Sequence, residues 1–191
     1  GVGVIAPETV VTIADLCYFL AEDGVWRWGA NGVEKVSSMV DAWFTRDDTF
    51  NRTAFPRAVA KYHPLDDAYE LHLAASGSES LDRWVSLDLK TGKWLGPHKT
   101  AVCTPTAVGA VEDSAGLLYP VIGSSDGYLY RQGVNQASDG SATAIDFTVD
   151  TPAYTMAAPA QTKYWGELVL YTKVEAAGTL TVQRYIGEIG A

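Results

Sequence analysis

Two distant segments of the chain share one pattern, in which an apolar run leads into Asp-Gly and then into a strand with alternating aromatic residues. Residues 18–28 read YFLAEDGVWRW, and residues 121–131 read VIGSSDGYLYR. An Asp-Gly pair between two apolar runs is a strong hairpin signal. Residues 83–95 give a related copy, with Lys-Thr-Gly at the turn before Trp94. The pattern predicts an all-β fold built from repeated antiparallel hairpins.

The spacing of these hairpins is near the roughly 40–50 residues of a propeller blade. Three such units fall within residues 1–139, whereas closed propellers have at least about four blades. We therefore predict an incomplete or small β-propeller, completed by neighbouring subunits or by sequence outside this chain. Residues 140–191 read differently, with one strand at 143–149 and a long hairpin formed by 168–174 and 179–186. This segment is predicted to be a C-terminal β-hairpin or part of a sandwich.

Helical periodicity is weak, and only residues 36–44 are expected to form a short turn or helix. The chain of 191 residues carries a formal net charge of -9, which argues against general nucleic-acid binding and against a polybasic membrane patch. It contains no apolar run of about 20 residues, so no transmembrane helix is expected. The sequence begins at Gly1 without methionine or a visible signal peptide, and we expect a processed or incompletely represented N-terminus.

The two cysteines, Cys17 and Cys103, both lie in apolar, strand-like runs. Buried thiols in such runs behave as small hydrophobic groups. We expect them to be reduced, in keeping with cytoplasmic synthesis, and a single disulfide between them is the alternative.

Motifs for metal binding and nucleophilic catalysis are missing from the sequence. His63, His72 and His98 lie far apart, and none pairs with a cysteine or carboxylate at ligand spacing. No Gly-x-Ser-x-Gly elbow or phosphate-binding loop is present. The sequence therefore predicts no catalytic residue, no metal site and no cofactor.

Adjacent acidic residues form three pairs in turn-like contexts, at Glu22-Asp23, Asp47-Asp48 and Asp66-Asp67. Aspartate side chains commonly cap turns by accepting hydrogen bonds from local backbone N–H groups. Glycoside hydrolases also use two carboxylates, but at a separation that is set in space. We favour turn capping and keep a hydrolase using Asp66 or Asp67 as the least favoured alternative.

Tryptophans at hairpin positions are the most informative candidate contact residues. Trp26 and Trp28 are two residues apart, so they share one face of a strand. Packing between blades explains such repeated aromatics most simply. The alternative is an exposed platform that stacks on glycans or on another protein, and its candidates are Trp26, Trp28, Trp84 and Trp94.

Several of these runs resemble the repeats of tailed-bacteriophage virion proteins that carry incomplete or full propellers. They are APETV at 6–10, FLAEDGVWRW at 19–28, VEKVS at 33–37, DLKTGKW at 88–94 and SDGYLY at 125–130. The resemblance covers most of residues 1–139. Proteins of this kind sit at the tail or neck of the particle, as nozzle, stopper or stabilising components.

The resemblance implies a non-enzymatic structural component of a phage-like tail or neck, made in the bacterial host cytoplasm and placed in the virion. Its expected partners are further copies of the chain and other virion proteins. A carbohydrate-binding propeller or adhesin is the alternative, with glycans as partners. Neither membrane association nor sequence-specific nucleic-acid binding is expected.

Overall fold

The computed structural model describes residues 2–100 and 102–133, together with the backbone of two short strands at Ser138–Asp139 and Thr143–Ala144. In chain order the strands are β1 Val11–Ile13, β2 Leu16–Ala21, β3 Gly24–Gly29, β4 Gly32–Lys35, β5 Val59–His63, β6 Ala68–Leu73, β7 Arg83–Asp88, β8 Trp94–Lys99, β9 Pro105–Glu112, β10 Leu118–Ser124, β11 Leu129–Arg131, β12 Ser138–Asp139 and β13 Thr143–Ala144. The helical elements are 3-10 turns at Pro7–Thr9, Ser38–Val40 and Arg52–Arg57, and α-helix α1 at Asp41–Thr45.

The strands form antiparallel sheets in which neighbours in sequence are neighbours in space. The first sheet has the order β1-β2-β3-β4 and the second has the order β5-β6-β7-β8. The third sheet is β9-β10-β11, and β12 pairs with β13. None of the sheets closes into a barrel within the residues that the structure describes. The all-β prediction is confirmed, as is the short helical segment predicted at 36–44.

The predicted hairpins have the expected turns. Leu20 pairs with Val25 and Ala21 with Gly24 around the first Asp-Gly turn. Asp88 caps the Lys-Thr-Gly turn, since its Oδ1 accepts hydrogen bonds from the backbone N–H groups of Lys90 and Thr91 at 2.8 and 3.2 Å. These turns fix the register, and the register decides which side chains share a face.

Gly24 is required at the first of these turns. Its φ is 138°, and a Cβ there would lie 2.2 Å from the buried Ser37 Oγ. That hydroxyl accepts the Val25 N–H at 3.0 Å, so it cannot move away without leaving a buried donor unpaired.

We expect Gly24→Ala to lower the free energy of unfolding by about 1–3 kcal/mol, from backbone strain and from the clash at Ser37. Urea denaturation followed by circular dichroism measures the change. Gly109→Ala is the matched control, because a Cβ at Gly109 meets nothing within 4 Å. Equal midpoints for Gly24→Ala and the unmodified protein would contradict the assignment.

The main core lies between the first and second sheets. Alternation along β2 and β6 places apolar side chains on the facing sides, and the rings of Tyr18 and Tyr69 stack with centroids 5.5 Å apart. Tyr69 also donates its hydroxyl hydrogen to the backbone oxygen of Thr9 at 3.0 Å, which satisfies a fully buried phenol. The two sheets therefore pack as successive layers.

The connection between the first two sheets contributes an aromatic cluster to this core. Phe44 on α1 is fully buried, and its ring centroid lies 5.9 Å from that of Phe50 and 6.3 Å from that of Phe55. Trp94 on β8 approaches Phe44 edge-on at 6.1 Å. Four aromatic rings thus close the space between the two sheets.

The third sheet lies on the opposite side of the second sheet from the main core. Strand β5 contacts both β1 and β9, and Val108 on β9 packs against a small cluster that includes Val59 and Leu81. The described part is therefore a stack of three sheets in chain order. Among the described residues, no helix has the length and apolarity to cross a membrane.

Several predictions fall on residues that the structure leaves undescribed. The long hairpin at 168–174 and 179–186 lies outside the described residues, as do all but the first two residues of the strand expected at 143–149. The β12–β13 pairing falls at the boundary predicted near 139, and that boundary stays a prediction. No disulfide joins Cys17 to Cys103.

Candidate functional site

The second sheet buries charged residues on the face that points away from the main core. Along β6, Tyr69 and Leu71 face the first sheet, so Glu70 and His72 face the third. Glu70 is 2% exposed and His72 is fully buried. Charged side chains are almost never buried to this extent unless they are paired.

Glu70 is the centre of a buried hydrogen-bond cluster. The register pairs Lys61 on β5 with Glu70, and the Lys61 Nζ lies 3.0 Å from Glu70 Oε1. His72 Nε2 donates to the same oxygen at 2.7 Å, and Gln132 Nε2 donates at 3.1 Å. These four residues, Lys61, Glu70, His72 and Gln132, are called the Glu70 cluster below.

The Glu70 cluster joins the second sheet to the third. Gln132 directly follows β11, and it also accepts a hydrogen bond from the Lys61 Nζ through its side-chain oxygen. Lys61 reaches the backbone oxygen of Val121 on β10 at 3.5 Å. His72 Nδ1 is buried and makes no hydrogen bond within the described residues. The cluster therefore consists of buried polar and charged groups, most of them hydrogen-bonded, at a junction between sheets.

The electrostatics of the cluster keep Glu70 ionised. Burial by itself would raise the pKa of Glu70, but the hydrogen bond from His72 and the charge of Lys61 outweigh it and lower the pKa to about 2. Burial lowers the pKa of Lys61, and the attraction of Glu70 opposes that shift. Removal of either partner would leave a charge in a site with little solvent.

A cleft of about 370 Å³ opens beside Glu70 on the same face of the second sheet. Its buried floor is made by His63, Ala68, Glu70 and Ser86, and its rim includes Asp66, Asp88 and Leu95. Small-ligand sites have volumes of roughly 300–1,000 Å³, so the cleft could hold a small molecule.

The remaining wall of the cleft is an aromatic pair. Trp84 on β7 is half-buried, and its ring centroid lies 4.1 Å from that of His98 on β8. Burial lowers the pKa of His98, with a smaller opposing effect of the Glu70 charge, so the imidazole is neutral at pH 7. The cleft is therefore bounded on one side by two uncharged rings tilted at 32° to each other, and its lining elsewhere includes the carboxylates of Asp66, Glu70 and Asp88.

The four tryptophans predicted as a contact surface lie in different environments. Trp94 belongs to the main core and donates its indole N–H to Val36 O at 2.9 Å, whereas Trp84 lies on the opposite face of the same sheet. Trp26 is anchored by a hydrogen bond to Asp23 at 2.9 Å, and Trp28 is 59% exposed beside it on the outer face of the first sheet. Whether any of them contacts a partner stays a prediction.

The acidic pairs make local contacts in turns. Asp67 Oδ1 accepts the Tyr62 hydroxyl at 2.9 Å, and Asp66 Oδ2 lies 3.3 Å from His63 Nδ1. In residues 2–100 and 102–133, no group of three or more histidine, cysteine, aspartate or glutamate side chains is arranged to hold a metal ion. A glycosidase acid requires a carboxyl group of raised pKa, and Glu70, the buried carboxylate of the cleft, shows the opposite shift.

Sequence reasoning missed Glu70 and Lys61. Alternation along 69–73 places Glu70 and His72 on the face opposite Leu71 and Leu73, but alternation alone does not show that this polar face is buried. A signal was available in the turn at 64–67, because a hairpin around it pairs position 61 with position 70. Opposite charges at paired positions mark a cross-strand ion pair.

Comparisons with protein-family models, with curated proteins and with solved structures find no match for this chain. A functional assignment therefore rests on the geometry of the stacked sheets and of the cleft, together with the repeat motifs of the sequence.

Proposed function

We propose that this chain is a non-enzymatic structural component of a phage-like virion tail or neck, and that it acts by assembling with neighbouring subunits. The observation that carries the proposal is a stack of antiparallel sheets whose two outer faces expose large apolar side chains. Exposed apolar patches on a rigid body are typical of protein interfaces.

The two outer faces are distinct surfaces. Trp28 and Val33 pair on the outer face of the first sheet and are 59% and 50% exposed. Val111 and Leu129 lie on the outer face of the third sheet and are 48% and 65% exposed. Each of these two sheets already packs its inner side against the second sheet. One further layer would therefore cover each outer face.

A propeller-like arrangement explains this geometry. In a propeller, each blade is a small antiparallel sheet, and its faces are buried by the neighbouring blades. Contacts of β5 with both β1 and β9 bring the first strands of the three sheets together, as expected for strands around a common axis. The three sheets are then successive blades, and further blades from other copies or from a longer chain would cover the outer faces.

Assembly through the β8 edge of the second sheet is disfavoured relative to assembly through the outer faces. The edge strand β8 contains Pro97, which has no N–H to donate, and it ends at the exposed Lys99. Proline and lysine on an edge strand oppose pairing with another sheet. A contact between two different faces is heterologous, and such contacts form a ring when the rotation closes.

The assignment to a phage-like particle is supported by the likeness of the repeat motifs at 19–28, 88–94 and 125–130 to those of tail and neck proteins. A net charge of -9 suits a body that must stay soluble before it assembles. The role needs a rigid framework with two interfaces, and it needs no reacting groups.

Assembly is tested with Trp28→Asp. We expect the unmodified protein to have the mass of several chains by sedimentation velocity and the variant to have the mass of one chain, because a charge in an apolar interface is left without a partner. Met39→Asp is the control, since Met39 is 84% exposed but lies in the 3-10 turn Ser38–Val40, away from both outer faces.

A monomeric unmodified protein at the highest soluble concentration would overturn the proposal for this chain alone. An oligomer that Trp28→Asp leaves intact would show that the first outer face is not the interface.

A further inference from the structure

The cleft beside Glu70 is lined by polar groups that can still form hydrogen bonds with a ligand. Ser86 is 7% exposed on the cleft floor, and its hydroxyl makes no hydrogen bond within the described residues. The Ser86 Oγ keeps some accessible surface, since it is not one of the fully enclosed polar atoms that lack a partner. A hydroxyl that faces a cleft without a protein partner is suited to a partner that comes from outside.

His63 adds a donor to the same floor. Its Nδ1 accepts the backbone N–H of Asp66 at 3.2 Å, so in the neutral ring the proton is on Nε2. His63 is 5% exposed and lines the cleft, and the Asp66 carboxylate at the rim is an acceptor. The cleft thus offers a hydroxyl, a ring N–H and a carboxylate, which together donate and accept.

The aromatic wall of the cleft, formed by Trp84 and His98, provides a largely apolar surface. Trp84 and His98 are held on adjacent strands by their cross-strand pairing, with ring centroids 4.1 Å apart. Two closely packed rings from neighbouring strands lose little freedom when a ligand packs against them, and their surface is largely apolar.

The charge of the cleft narrows the class of ligand. Its lining includes the carboxylates of Asp66, Glu70 and Asp88, and no lysine or arginine among the described residues. Lys61 reaches Glu70 but does not line the cleft. Lys61 compensates the charge of Glu70, but an anionic ligand would still meet the negative charge of Asp66 and Asp88, so a neutral or cationic ligand is favoured.

We propose that this cleft binds a neutral saccharide unit, with its apolar C–H face against Trp84 and its hydroxyl groups on Ser86, His63 and Asp66. A sugar hydroxyl both donates and accepts, so it matches a floor that offers donors and acceptors together. An ammonium or guanidinium group only donates, and it would leave the Ser86 hydroxyl and the His63 N–H without acceptors. The proposal is independent of how the chain assembles.

Isothermal titration calorimetry of the full chain at pH 7 tests the ligand class. The probes are the methyl glycosides of glucose, galactose and N-acetylglucosamine and the disaccharides lactose and maltose, with glucuronate and arginine amide as charged comparisons. We expect saturable binding of at least one neutral sugar and none of glucuronate. Tighter binding of arginine amide than of every neutral sugar would overturn the assignment, as would no binding of any neutral probe.

Variants locate the site for whichever neutral sugar binds. Ser86→Ala removes a hydroxyl that makes no hydrogen bond within the described residues, so we expect it to fold normally and to weaken binding by about tenfold. Trp84→Ala is expected to weaken binding by at least about tenfold through the loss of stacking. Met39→Ala is the control, since it removes an exposed side chain from the 3-10 turn Ser38–Val40, which does not line the cleft. Unchanged affinity in Ser86→Ala and Trp84→Ala would place the sugar elsewhere and overturn the proposal.

Discussion

Replacement of Glu70 with glutamine is expected to lower the free energy of unfolding by about 3–5 kcal/mol, because it leaves buried positive charge without a partner. The carboxylate accepts hydrogen bonds from Lys61, His72 and Gln132, and it is 2% exposed. An amide of the same size keeps the shape but removes the charge that holds Lys61. Urea denaturation at pH 7, followed by tryptophan fluorescence, measures the change.

Two further variants separate the buried pair from a general effect of charge. Glu79→Gln removes a carboxylate that is paired with Arg57 at the surface, where the side chains are 75% and 54% exposed, and we expect a change of about 0–1 kcal/mol. Adding Lys61→Met to Glu70→Gln removes the unpaired positive charge of Lys61, so the double variant is expected to regain much of the lost stability. A loss below about 1 kcal/mol in Glu70→Gln would show that Lys61 reaches solvent after the substitution.

The same residue predicts how stability depends on acid. The pKa of Glu70 falls from 4.5 to about 2 on folding, so the unfolded state binds the proton more tightly than the folded state does. Its contribution is therefore fully present above pH 4.5 and is lost as the pH falls from there towards 2. Glu70→Gln should lack this part of the acid dependence and show a shallower slope over that range.

Phe44→Ala is expected to cost about 3–5 kcal/mol of unfolding free energy, the range for removal of a fully buried phenylalanine. Phe44 has no exposed surface, and its ring contacts those of Phe50, Phe55 and Trp94. The cavity would lie where the connecting segment closes the space between the first two sheets, so those rings would lose contacts together. Thermal and urea unfolding both report the loss.

Met39→Ala is the control for this substitution. Met39 lies in the 3-10 turn just before α1 and is 84% exposed, so we expect a change within about 0.5 kcal/mol. A cost for Phe44→Ala below about 1 kcal/mol would mean that the aromatic cluster collapses into the space and is not rigidly packed.

The hairpins could be predicted because their signals are local. Asp23-Gly24 and Ser125-Asp126-Gly127 contain the residues that tight turns require, and aromatic residues alternate in the strands that follow. The same locality explains the short helical segment near α1. A turn and two strands within about twenty residues are specified by neighbouring residues, with little contribution from the rest of the chain.

The candidate site could not be predicted, because it depends on contacts between distant segments. Glu70 and Gln132 are far apart in sequence, and burial of Glu70 depends on where the third sheet lies. Alternation places Trp84 on one face of β7, but which face meets the core depends on packing between sheets. The pairing of β7 with β8 is also irregular between Trp84 and Ser86, and alternation along one strand does not predict such a bulge.

The sequential order of the sheets also has a consequence for synthesis on the ribosome. Each described sheet pairs only strands that are adjacent in the chain. Every strand therefore forms its hydrogen bonds with the strand directly before or after it in the sequence. Chains with such local pairing fold faster than those that must close long loops first. The first sheet can form as it emerges, and the second can dock on it through Tyr18 and Tyr69 before the third has been translated. We therefore expect the described sheets to form in chain order during synthesis, and the Glu70 cluster to be complete only once Gln132 has been translated.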